Sequence, residues 1–132
     1  MVATSSKRRL MWSISVSLAV ACVLALVVRF WAVDAFHRRE IARHSERLLE
    51  LGRRTPSVTQ VDVELGAPYR IATAEDALDL AHRWDNPLNP PAEIESKMRK
   101  WPQTRVYLRS PMVYLVFFDD HGTMRDFLCL SN

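Results

Sequence analysis

The chain has 132 residues, 18 Lys/Arg against 15 Asp/Glu, and a formal charge of +3. Apart from an anchor, that length leaves room for one small domain. Residues 1–54 hold ten basic against four acidic residues and residues 55–132 hold eight against eleven, which argues against nucleic acid as a partner and for anionic lipid headgroups beside the basic part.

Leu10 to Val28 is a run of 19 uncharged residues, ten of them Leu, Ile or Val. As a helix it covers roughly 28 Å, close to the hydrocarbon thickness of a bilayer. The ten branched residues together favour insertion by roughly 4 kcal/mol. Ser13, Ser15 and Ser17 offset part of this. Trp12 and Trp31 lie near the two ends, where indole rings prefer headgroups. A single-pass membrane helix is expected, with Lys7, Arg8, Arg9 and Arg29 as lipid-headgroup contacts.

Processing competes with retention. Ala19-Val20-Ala21 offers a signal-peptidase site and Cys22 a lipid attachment point, but the apolar run continues to Val28. Signal h-regions usually stop by about 15 residues, so a retained signal-anchor is expected. Five arginines follow the helix within about 20 residues, diluted by Asp34, Glu40, Glu46 and Glu50. The leading Lys7-Arg8-Arg9 cluster is compact and unopposed, which favours the N-terminus inside and the domain outside the cytoplasm. Ser13, Ser17, Ala21 and Ala25 repeat every four residues, a face on which two membrane helices can approach as a homodimer. A helix rich in Ser and Ala also produces such a row by chance. Cys22 and Cys129 are too far apart in kind and place for an internal disulfide.

Asp34 to Leu51 predicts a juxtamembrane helix with Gly52 as its C-terminal cap. Ile41, Leu48 and Leu51 suit either a short stalk or a helix lying on headgroups, and His37 and His44 read as solvated. The expected division is 1–54 for cytoplasmic stub, membrane helix and juxtamembrane helix, and 55–132 for a small α+β domain.

Ser57 and Gln60 have capping-box spacing before a short helix with Val58, Val61 and Leu65 on one face, stopped by Gly66 and Pro68. Alternation of Val61, Val63 and Leu65 offers a competing strand. Thr73 to Trp84 predicts a helix capped by Thr73 and Asp76, with Ala74, Ala77, Leu78, Ala81 and Trp84 as its apolar stripe. Asn86-Pro87 ends it, and Pro87 to Pro91 is stiff. Asn89 caps a third helix, with Pro90 in its first turn, that runs to about Lys100 and buries Ile94, Met98 and Trp101. Arg105–Arg109, Met112–Phe118 and Thr123–Leu130 predict a three-stranded antiparallel meander, with the second strand central because it is apolar on both faces. Asp119-Asp120-His121-Gly122 is a hairpin loop. The expected fold is therefore α+β: a membrane helix, then two or three helices packed on a three-stranded meander.

The capped helix ending in Leu65-Gly66-x-Pro68 and the central strand ending in Phe118-Asp119-Asp120-x-Gly122 resemble the small envelope domains of the SmpA/OmlA type, over residues 57–68 and 105–128. Those are lipoprotein-anchored accessory domains in bacterial outer-membrane barrel assembly. The resemblance implies an envelope setting and protein partners met through the sheet edge or loops.

No catalytic constellation is recognisable. Ser110 and Ser131 have no His/Asp partner at a known spacing. Asp119, Asp120, His121 and Asp126 contain the donors for a divalent metal, yet Asp-Asp-x-Gly is also ordinary turn chemistry. The expected function is a non-enzymatic, membrane-anchored interaction domain without cofactor or metal, bound to an unknown protein partner. A metal-binding or enzymatic module built on Asp119-Asp120-His121 is the alternative.

Overall fold

A computed structural model describes the backbone of residues 3–85, 88–89 and 91–131, with side chains from residue 6 onward. In chain order the elements are helix α1 (Ala3–Arg53), helix α2 (Val58–Leu65), strand β1 (Arg70–Ala72), a 3₁₀ turn (Ala74–Asp76), helix α3 (Ala77–Arg83), helix α4 (Pro91–Lys100), and strands β2 (Gln103–Arg109), β3 (Met112–Phe118) and β4 (Met124–Ser131). The fold is α+β with an antiparallel sheet. By internal contacts the chain divides into Met1–Phe36 and His37–Asn132.

The first unit is helical throughout its described residues. The most apolar 18-residue window of α1 has no buried share, and the helix is long and apolar enough to cross a membrane by length and composition. Trp12 and Trp31 are 76% and 74% exposed.

In the second unit the strands pair in sequence order, β1-β2-β3-β4, all antiparallel. All seven residues of β3 are buried. Alternation sends Val113, Leu115 and Phe117 to one face, where they meet α3 and α4 through Leu80, Ala81, Ile94 and Met98. Met112, Tyr114, Val116 and Phe118 go to the other face, where Leu48 and Leu51 of α1 and Val61 and Leu65 of α2 cover them. The sheet is thus a middle layer with helices on both sides.

The Ser57 capping box forms as expected: Gln60 N–H donates to Ser57 Oγ at 3.3 Å, and Ser57 N–H to Gln60 Oε1 at 2.8 Å. The helix reading of Val58–Leu65 holds over the strand reading. Gly66 takes φ 81°, and a Cβ there would lie 2.8 Å from Arg109 Nη2. Strand β3 has the expected bounds, and Gly122 turns the hairpin at φ 72°.

Several expectations are corrected. The sheet has four strands, not three. Three residues are too few to show a period, and β1 exists because the outer edge of β2 at Thr104–Val106 needs backbone partners. Gly52 is not a cap. Helix α1 continues to Arg53, and Gly52 lies within it, with Met124 Cε 3.5 Å from where a Cβ would stand, an ordinary contact distance. The left-handed residue after the helix is Thr55, φ 47°. The compact unit takes in the helical turns from His37 onward, because Ile41, Leu48 and Leu51 face the sheet rather than a stalk partner or headgroups. Leu78 is 54% exposed and Leu80 takes its place in the core, since the 3₁₀ turn before α3 changes the phase of the stripe. The stop at Asn86-Pro87 and most of the stiff Pro87–Pro91 stretch, Pro90 included, lie outside the described residues.

Asn89 does not serve as the expected helix cap. Its side chain is buried, donates to the carbonyls of Trp84 (2.7 Å) and Ser131 (2.9 Å), and accepts from Ser131 N–H at 3.0 Å. A primary amide carries both donor and acceptor, so it pairs with the end of β4 as a peptide group would. Replacing it with alanine strands buried backbone groups. Urea unfolding of Asn89→Ala is expected to show a loss of about 2–4 kcal/mol, and a loss under about 0.5 would contradict this role.

Docking of α1 onto the sheet yields a paired expectation. Leu48 is fully buried while its neighbour Leu49 is 49% exposed. Leu48→Ala should cost about 2–5 kcal/mol and Leu49→Ala under about 0.5, read from denaturant midpoints.

Candidate functional site

On the face covered by α1, a chain of polar groups crosses from helix to sheet. His44 Nδ1 hydrogen-bonds the Tyr114 hydroxyl, and the rings lie 5.5 Å apart at a 52° tilt. One helical turn earlier, Glu40 Oε2 lies 3.4 Å from His44 Nε2. Tyr114 stands opposite Tyr107 on β2 and Cys129 on β4. Burial pushes the Tyr114 hydroxyl above its ordinary pKa, opposed by the nearby charges of Arg47 and Arg109. Burial likewise pushes the Cys129 thiol up to about 11, opposed by a hydrogen bond with Ser45. At neutral pH Cys129 is therefore a thiol, not a thiolate, and a poor nucleophile.

Beside this chain lies a cavity of about 360 Å³ lined by Arg43, His44 and Arg47. Arg47 also lines a neighbouring cavity of about 230 Å³ that contains Glu50, Arg54 and Glu64. A second polar group joins α2 to the sheet. Asp62 accepts from Arg105 Nη1 at 2.5 Å and from the Tyr107 hydroxyl at 2.6 Å. Burial, then the Asp62 carboxylate, raises the Tyr107 pKa. A tyrosine held protonated and bonded this way pins elements together; it does not exchange protons near neutral pH.

The hairpin behaves as a turn. Asp119 Oδ1 accepts from the backbone N–H of His121 (3.0 Å) and Thr123 (2.9 Å), and Oδ2 accepts from Arg125 Nε at 2.7 Å. Both carboxylate oxygens are occupied within the turn. Asp120 and His121 are exposed, and Asp126 bonds Lys97 Nζ at 2.9 Å on the opposite helix layer. Among the described residues no three His, Cys, Asp or Glu side chains converge on a point that could hold a metal.

The residues singled out from sequence lie on α1. Ser13, Ser17, Ala21, Ala25, Lys7, Arg8, Arg9 and Arg29 are all exposed. The polar chain was not foreseen. His44 is half-buried against Tyr114 rather than solvated, and the His37 ring meets Ser131 Oγ at 3.2 Å. The one available signal was position: His37, Ile41, His44, Leu48 and Leu51 recur at helical spacing on one face.

No family model, curated protein or solved structure matches the chain.

The Asp119 geometry sets an acid response. Backbone donation from Thr123, then the Arg125 guanidinium, holds its carboxyl below the usual carboxylate range. A lowered folded-state pKa contributes stability above the unfolded value of about 4, and that contribution is lost as pH falls through the folded value. Asp119→Asn should therefore lower the melting temperature at pH 7 while flattening its fall below pH 4. A variant whose acid limb parallels the parent would show that the carboxylate does not hold the turn.

Proposed function

We propose that this chain is a single-pass membrane protein whose domain, from His37 onward, serves non-enzymatic interactions outside the cytoplasm. The observation that carries the reading is the exposed Leu10–Val28 face. Its large apolar residues, Leu10 to Val28, are 48–68% exposed, apart from Trp12 at 76%. A bilayer is the solvent in which a helix of that kind needs no protein cover. The domain, by contrast, already buries both faces of its sheet, so it does not need the apolar run to complete a core. The occupied hairpin carboxylate and the protonated thiol of Cys129 support interaction over catalysis. Charge supports the orientation: Lys7-Arg8-Arg9 precede the run without an acidic neighbour. On this reading the sequence resemblance to SmpA/OmlA-type domains supports a partner in a cell envelope, and the small-residue row at Ser13, Ser17, Ala21 and Ala25 would bring two copies together.

The test combines extraction with topology. The full chain should stay in the membrane pellet through alkaline carbonate washing. Val20→Arg/Leu24→Arg, at about 2.5–3.5 kcal/mol each, should release it. Cys129 is a poor reporter of sidedness because it is half-buried and protonated. Asp120→Cys in a Cys129→Ala background places a thiol on the exposed hairpin instead. Labelling of that thiol by an impermeant maleimide in intact cells is expected, whereas labelling only after lysis would put the domain inside.

A further inference from the structure

We propose that Arg43, His44 and Arg47 form a binding site for a phosphate-bearing ligand. The site goes beyond the anchor reading and does not depend on it, because the lining residues lie within the domain.

Three observations converge. First, among the described residues a cavity of about 360 Å³ is lined by these three side chains, two of them permanently cationic. That volume falls within the range of small-molecule sites, about 300–1,000 Å³. Second, among the described residues no carboxylate lines it. The neighbouring cavity has Glu50 and Glu64, and Glu50 lies 3.2 Å from Arg53 and 4.0 Å from Arg54. Arg70 and Arg105 are likewise neutralised, by Asp76 with Asp79 and by Asp62. Among the described residues, Arg43 and Arg47 have no acidic group within ion-pair distance. Third, the wall between them is held in place: His44 is fixed by Glu40 on one side and by Tyr114 on the other.

The arginines are four residues apart, so their stems leave the same side of the helix and their guanidinium forks reach the same space. A planar fork donates two parallel N–H bonds to a phosphate, which gives geometry as well as charge. Glu40 contacts His44, and neither arginine has an ion-paired carboxylate among the described residues. The ligand is either a soluble phosphate or pyrophosphate group or the phosphodiester of an anionic lipid headgroup. The same residues recognise both.

The test uses the full chain. In neutral maltoside micelles, pyrophosphate is titrated while the four histidine ring signals are followed by NMR. In nanodiscs, phosphatidylglycerol is compared with phosphatidylcholine. A saturable shift of His44 with pyrophosphate, spared at His82 and His121, supports a soluble ligand. A shift produced only by phosphatidylglycerol supports a headgroup. In either case Arg43→Gln/Arg47→Gln should weaken binding at least about 10-fold, and Arg43→Lys/Arg47→Lys should lose part of it, since charge remains without the fork. Arg53→Gln/Arg54→Gln removes the same net charge about two to three turns away and should change affinity less than about 2-fold. No saturable shift in either medium, or equal loss in the Arg53/Arg54 variant, overturns the site. Unchanged His82 and His121 signals in each variant certify folding. Carbonate extraction is read separately, so failure here leaves the anchor reading standing, and the reverse.

Discussion

Burial of strand β3 on both faces is the constraint on which the domain depends. Seven consecutive apolar residues cannot satisfy themselves against one helical layer, because alternate side chains point to opposite sides. One side takes Val113, Leu115 and Phe117, and α3 and α4 close it. The other side carries Tyr114, Val116 and Phe118, and it needs cover as large. Each such side chain is worth about 1.5–3 kcal/mol when buried, so leaving a face open would cost an amount comparable to a small domain's whole margin. The last turns of α1, with the capped helix α2, supply that cover.

This requirement explains the placement of polar groups. A helix laid on a sheet through a few leucines can slide, whereas directional bonds set its register. His44 to Tyr114, Asp62 to Arg105 and Tyr107, and His37 to Ser131 each join a helix to a defined strand position. On the other side, Lys97 to Asp126 does the same for α4. Asn89 closes the far end of β4 by pairing with Ser131, which also occupies backbone groups at a sheet edge that would otherwise be open to another strand. The polar chain at His44 therefore positions its helix first. Among the described residues, the two arginines beside it have no acidic group within ion-pair distance.

The helix α1 carries two unlike apolar surfaces along one element. From Leu10 to Val28 it is apolar around its circumference, which suits lipid. From Ile41 to Leu51 it is apolar on one stripe only, with Arg43, Glu46, Arg47 and Glu50 elsewhere, which suits a protein layer. The change in pattern within one uninterrupted helix separates a segment of uniform surroundings from one that faces both core and water.

Sequence alone determined the parts governed by local rules. The capping box at Ser57 and Gln60, the bounds of Met112–Phe118, the turn at Asp119–Gly122 and the length of the apolar run depend on neighbours a few residues away, and periodicity or turn chemistry exposes them. Tertiary structure decided the rest. Whether Ile41, Leu48 and Leu51 meet a stalk partner, a headgroup layer or a sheet is set by which apolar face lies unpaired elsewhere in the chain, and no local pattern holds that information. The same holds for β1, drawn into a strand by the edge of β2, and for Asn89, which left its expected cap to pair with Ser131 42 positions away. His44 was legible as a histidine on a helix. That it touches Tyr114, 70 residues on, and thereby stands between two arginines at a cavity, follows only once the sheet's second face has been closed.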